Sequence, residues 1–364
     1  MSALSYKLVH KIIAFFSIVI FFFLIFPTLI RSALPSFGFD KNFAAFILTF
    51  AIILPVGHPS SLWFVTVSHL SLFCGIYLIF HVFFGEEAWF ASLTLGGFLP
   101  FALCALFWVI GVFFAKKIRV KRYNIGEGKT GEQIKIVHLT DMHPSRIFSL
   151  TTVRYIFTLV QRENPDIIAM TGDIFDENTS PEMFDKYCVM FSELMPKYGV
   201  YYVFGNHDAR WLWKKPAHTK EDIINSLEAA NVRILEDEEI ITCGGKIRII
   251  GRRDVTENRK SPEELIGSHS EDGIYNILLC HEPLELKKCA DSGANLTLCG
   301  HTHGGQIFPI GVLSSLFGIN EMRYGIKKFG ENSYAEVSSG VGTWKYPIRT
   351  ESRSEIAVIN INLT

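Results

Sequence analysis

Residues 299–306 read C-G-H-T-H-G-G-Q. On extended backbone two histidines one residue apart point the same way, and the flanking glycines leave room beside them. Such a pair does little for packing. As ligands to a cation the two imidazoles need partners from elsewhere in the chain, and four other stretches offer them. Leu139-Thr140 runs into Asp141-Met142-His143, and Met170-Thr171 into Gly172-Asp173 with Asp176 beyond. Phe204 runs into Gly205-Asn206-His207-Asp208, and Leu279-Cys280 into His281. Each follows a short apolar run and reads as the end of a buried strand. In open α/β sheets ligands collect at the carboxyl ends of the strands. Carboxylate, imidazole and amide oxygen together suit Mn²⁺, Fe or Zn²⁺. A closed structural zinc site would use four Cys or His ligands instead.

The elements that must present these residues follow from periodicity. Strands are predicted at 134–139, 166–170, 200–204, 232–235, 246–250, 276–279, 296–298, 334–337 and 355–361. Helices are predicted at 151–163, 181–194, 220–230, 262–266 and 283–289, where apolar residues recur at helical spacing, as in Val153, Ile156, Phe157 and Val160. Gly244-Gly245 reads as a hairpin turn. This alternation argues for sheets covered by helices.

The ordered set D-x-H, G-D-x-x-D, G-N-H-D, a lone His and G-H-x-H resembles the calcineurin-like metallophosphoesterase superfamily. The form G-H-T-H-G-G-Q is similar to a bacterial branch that includes membrane-associated enzymes, as is the closing segment 337–343 with Pro347-Ile348-Arg349. The resemblance covers Ile134 to the C-terminus. It implies an α/β (α+β) fold, a four-layer α/β/β/α sandwich, and two divalent metal ions. Asp141, His143 and His303 would hold one ion, Asn206, His281 and His301 the other, and Asp173 would bridge them. Two such ions make hydroxide available near neutral pH and clamp an in-line displacement at phosphorus. The implied reaction is hydrolysis of a phosphomonoester, phosphodiester or pyrophosphate by a metal-bridging hydroxide. His207 would stabilise the transition state or protonate the leaving oxygen, with Asp176 orienting it. Asp208 could share that role or face solvent. Arg323 and Arg349 are candidates to grip a substrate phosphate through paired hydrogen bonds, and Gln306 is a similar candidate.

The chain has 364 residues and a formal net charge of −1, so no general attraction to nucleic acid is expected. Seven cysteines without a C-x-x-C pair are not a disulfide framework. Hydrophobic residues make up 49%, and the excess lies near the start. Apolar stretches at 12–30, 43–56, 62–84 and 93–115 approach the ~20 residues that span a bilayer. Lys7 and Lys11 precede the first, and Lys116, Lys117, Arg119, Lys121 and Arg122 follow the last. By the charge rule this predicts a multi-pass membrane protein with both ends and the catalytic domain cytoplasmic. The expected organisation is a transmembrane module of about four helices (1–122), a linker (123–133) and the phosphoesterase domain (134–364). Trp211, Trp213 and nearby lysines, with the apolar loop at 308–317, suggest a lipid-linked substrate; the branch includes hydrolases of UDP-2,3-diacylglucosamine. The alternatives are a phosphodiesterase acting on soluble nucleotides, cyclic ones included, or a membrane sensor or transport protein using the domain as a binding platform. No obligate protein partner is evident.

Overall fold

The computed structural model describes residues 65–66, 69, 72–73, 98–126, 131–144, 149–208, 217–267 and 273–363. The chain divides into two compact units, 1–111 and 112–364. In the first unit the Cys104 thiol donates to the Thr66 carbonyl at 3.7 Å, and the His69 ring lies 5.5 Å from that of Phe107. Helix α1 (Phe98–Lys116) holds residues 98–115 of the fourth apolar stretch.

The multi-pass membrane placement is corrected here. Among the described residues no helix is long and apolar enough to cross a membrane. The stretches at 12–30 and 43–56, and all but a few residues of 62–84, lie outside the described residues.

The second unit holds two six-stranded mixed sheets. The first has the order β1 (Arg119–Ile125), β12 (Glu355–Leu363), β2 (Glu132–Leu139), β3 (Ile167–Thr171), β4 (Val200–Val203), β5 (Val232–Ile234). From β2 to β5 every neighbouring pair is parallel. The second has the order β10 (Gly325–Gly330), β11 (Ser333–Val337), β9 (Leu296–Cys299), β8 (Tyr275–Leu279), β7 (Ile247–Gly251), β6 (Glu238–Thr242), parallel from β11 to β7. Tyr123–Ile125, expected in the linker, belong to β1, which pairs with β12. The β6–β7 hairpin turns through Cys243–Gly245, as Gly244-Gly245 foretold.

Alternation along the strands sorts the side chains into layers. Ile136, Ile167, Ala169, Tyr201 and Val203 of the first sheet meet Ile249, Ile277, Leu279, Leu296 and Leu298 of the second in one buried core. The intervening residues Val137, Leu139, Ile168, Met170 and Tyr202 face the other way, against Val153, Ile156, Phe191 and Leu227. Those come from α2 (Leu150–Arg162), α3 (Pro181–Ser192) and α4 (Lys220–Ala229), capped in turn by Ser149, Ser180 and a Thr219–Asp222 capping box. On the far side, Ile250 and Leu278 pack on α5 (Pro262–Ile266) and on Cys289 of α6 (Leu286–Asp291). The layers run helix, sheet, sheet, helix. A one-residue slip of any central strand would turn its apolar set outward, at roughly 1.5–3 kcal/mol per side chain exposed. The apolar 308–317 segment, expected as a loop, holds a short helix, α7 (Ile310–Leu316).

One polar contact crosses the inter-sheet core. His138 of β2 is fully buried, with Nδ1 2.6 Å from Glu336 Oε2 of β11 and Nε2 2.7 Å from Thr171 Oγ1.

Candidate metal centre

The parallel strands of both sheets end on one side, and the chemistry sits there. Asp141 follows β2, Asp173 follows β3, Asn206 and His207 follow β4, His281 follows β8, and His301 and His303 follow β9. Two glycines let the loops close in. A Cβ at Gly205 would lie 2.3 Å from Asp173 Oδ1, and one at Gly300 would lie 2.3 Å from Asp141 Oδ2. Glycine is the residue that permits such backbone approach.

All seven expected metal-facing residues converge. Asp141, His143 and His303 offer ligand atoms within 4.8 Å of one another, and so do Asp141, Asp173 and His281. Asp173 Oδ2 lies 3.3 Å from His143 Nε2 and 3.2 Å from His281 Nε2, so one carboxylate oxygen faces both imidazoles. Asn206 Oδ1 lies 3.1 Å from His281 Nε2 and 3.0 Å from His301 Nδ1. His303 Nε2 is 3.3 Å from Asp141 Oδ1. The Thr171 carbonyl, 2.7 Å from His281 Nδ1, accepts its proton and turns Nε2 toward the Asp173 and Asn206 oxygens.

The electrostatics fit a cation. Burial pushes Asp141 up, with Asp173 adding to it, whereas His281 and His207 outweigh the burial of Asp173 and hold it well below the usual carboxylate range. Burial and the neighbouring His281 push His301 down to about 3, and burial and His143 lower His303, so both stay neutral. Burial opposes charge on His143, but Asp173 and Asp176 outweigh it and raise it to about 10. The carboxylates thus draw protons onto imidazole, the charge a divalent ion would otherwise supply. Neither ring nitrogen of His143 makes a hydrogen bond, although both are buried. Buried polar atoms are normally satisfied, and these donor types, orphaned between carboxylates, fit an ion shared among them.

The surroundings differ from expectation in five places. Asp176 Oδ2 lies 3.6 Å from His143 Nδ1, and the carboxylate beside His207 belongs to Glu177, at 3.2 Å from Nδ1. Glu177 follows Asp176 directly, and sequence alone offers no signal to choose between them. Asp208 is buried: Oδ2 accepts from the backbone N–H groups of Asp173 (2.8 Å) and Gly205 (2.7 Å), and Oδ1 from Phe175 (2.9 Å). Burial and Asp173 push it up to about 6. It braces the loops rather than facing solvent. Arg349 is fully buried and donates to the carbonyls of His303 (3.0 Å), Ser339 (2.7 Å), Gly340 (3.2 Å) and Gly342. It ties the closing segment to the histidine loop and presents no donor to a phosphate. Arg323 pairs with Glu351, which also accepts from Gly311 N at 2.8 Å at the start of α7. Gln306 clamps the closing segment: Nε2 donates to the Trp344 and Tyr346 carbonyls (2.9 and 3.1 Å), and Oε1 accepts from Trp344 N (2.9 Å).

The backbone is left-handed at Asp141 (φ 50), His143 (φ 37), Asp173 (φ 52), His301 (φ 67) and His303 (φ 50). Side chains other than glycine take this conformation uncommonly, Asp, Asn and His more readily than most, and five such residues gather at this one site.

Comparison with known proteins agrees with the geometry. The calcineurin-like phosphoesterase pattern matches residues 134–305. A metallophosphoesterase of Helicobacter pylori, named as uncharacterized, is 30% identical over 274 residues, 74% of this chain and 70% of that protein. A metallophosphoesterase of Aquifex aeolicus, likewise uncharacterized, is 31% identical over 254 residues, 67% of this chain and 92% of that protein. Phosphodiesterase YaeI of Escherichia coli is 28% identical over 235 residues, 62% of this chain and 82% of that protein. With its strand-end carboxylates and imidazoles gathered about one centre, the chain belongs to the calcineurin-like metallophosphoesterase family and is a metal-dependent phosphoester hydrolase.

Proposed function

We propose that the chain hydrolyses phosphodiesters, with Asp141, His143 and His303 holding one divalent cation, Asn206, His281 and His301 a second, and Asp173 shared between them. The observation that carries this reading is the single Asp173 oxygen facing His143 and His281 at 3.3 and 3.2 Å. The ligand types favour Mn²⁺, with Fe or Zn²⁺ able to use the same set. When bound, the pair would activate water at neutral pH and offset charge on the phosphoryl oxygens. The chain's own residues do the rest. His207, with its backbone N–H fixed on Asp173 Oδ1 at 2.8 Å, delivers a proton to the leaving oxygen. Glu177 accepts from Nδ1–H and balances the positive charge of the doubly protonated ring, so that Nε2–H is the proton given to the leaving oxygen. The name of the E. coli relative supports the diester over the monoester.

The test is a chelator-stripped protein reloaded with Mn²⁺ and assayed on bis(p-nitrophenyl) phosphate, p-nitrophenyl phosphate, a cyclic dinucleotide and UDP-2,3-diacylglucosamine. Metal-dependent turnover of diesters well above the monoester is expected; a monoester preference, or turnover that survives stripping, would refute the reading. Glu177→Gln should lower kcat roughly 10-fold or more while Mn²⁺ affinity holds. An unchanged kcat removes Glu177 from the mechanism.

A further inference from the structure

Trp344 stands beside the proposed proton donor. Its ring centroid is 5.4 Å from that of His207, at an interplanar angle of 53°. The imidazole is 5% exposed, whereas Trp344 is half-buried, so the indole carries the surface of the site outward from His207. Its position is built. Gln306, from the histidine loop, takes both the N–H and the carbonyl of the Trp344 backbone, at 2.9 Å each. Lys345 follows in left-handed conformation (φ 58), its ammonium 4.3 Å from the indole centroid. A side chain wanted only to fill the core would not need its backbone clamped at both ends beside an exposed lysine.

We infer that Trp344 forms the subsite for the leaving group, and that this subsite takes an alcohol carrying a flat aromatic ring, such as a nucleobase or an aryl group. The inference rests on the reading of His207 as the proton donor. If His207 protonates the departing oxygen, that oxygen lies within hydrogen-bond reach of its ring, and whatever the oxygen carries must lie against the surface flanking His207. Among the described residues, the half-buried indole lies on that surface. Aromatic rings stack on indole, and the contact tolerates different bases because each has a π face.

Two symmetrical diesters separate this subsite from general catalysis: a dinucleoside phosphate linked through both 5′ oxygens, and its analogue with hydrogen in place of each base. The leaving alcohols then match in acidity and differ only in the ring. With Mn²⁺-loaded full-length protein, Trp344→Ala should lower kcat/KM on the dinucleoside ester roughly 10-fold, chiefly through KM, and leave the base-free ester unchanged. Trp344→Phe should keep most of the wild-type preference. An equal fall on both esters would assign Trp344 to positioning His207 and overturn the inference; so would no fall on either. Wild-type protein that cleaves neither ester would overturn the catalytic reading beneath it and this inference as well.

Discussion

Asp208 supports a prediction worked from three hydrogen bonds. Its carboxylate accepts from the N–H groups of Asp173, Phe175 and Gly205 at 2.7–2.9 Å, and the side chain is shut off from solvent. Asp208→Ala leaves three buried donors without an acceptor, each costing about 1–3 kcal/mol. Taking the lower end for all three gives about 3 kcal/mol, a fall in Tm of about 6–12 °C for a folded unit of this size. Asp208→Asn keeps one oxygen for the two donors now on Oδ2 and turns its NH₂ toward Phe175 N, so about a third of that loss is expected. The N–H of Asp173 is one of the three, so the shared metal-facing carboxylate loses its brace. Mn²⁺ affinity should fall roughly 10–100-fold in the alanine variant. Thermal unfolding and calorimetric titration of wild type, Asn and Ala give the order directly. A wild-type Tm and wild-type Mn²⁺ affinity for Asp208→Ala would refute the reasoning, and so would an asparagine variant as damaged as alanine.

Two further outcomes are expected. Arg349→Lys replaces a planar guanidinium that serves several carbonyls with a single ammonium, and should cost about 3 kcal/mol or more of stability while weakening Mn²⁺ binding; urea midpoints at a fixed metal concentration measure both. Burial alone would raise Glu285, but hydrogen bonds from Arg252 and Lys288 overcome it and hold the carboxyl at about 2. A depressed carboxyl stabilises the fold above its unfolded pKa of ~4.3 and loses that stabilisation as pH falls through the folded value. Glu285→Gln should therefore be less stable than wild type at pH 6, with the gap closing toward pH 2, as followed by urea unfolding at each pH.

The central strands and their polar ends were legible because burial on both faces writes a continuous apolar run, and a metal-facing residue interrupts it abruptly, as Leu279-Cys280-His281 does. The strands that escaped are β1, β6 and β10, and all three lie at sheet edges. Edge strands are half solvated, so R-V-K-R-Y-N-I and G-I-K-K-F-G carry lysine and arginine where a central strand would carry valine. The metal-facing set followed from motifs, whereas its supports did not. Whether Asp176 or Glu177 reaches His207 depends on how one loop turns. Arg349 looks in sequence like a phosphate grip because spacing does not reveal that four backbone carbonyls surround it.

The left-handed turns at Asp141, His143, Asp173, His301 and His303 bear on how this protein can vary. An L side chain is crowded in that conformation by about 1–2 kcal/mol, and glycine is not. At these positions the path to a hardier molecule and the path to an inert one coincide. Selection for heat resistance alone should favour glycine first at His143, whose ring nitrogens make no hydrogen bond, and least at Asp141 and Asp173, which accept from the backbone N–H groups of His301 and His207. Their persistence in a thermally selected library would mark a demand that folding does not make.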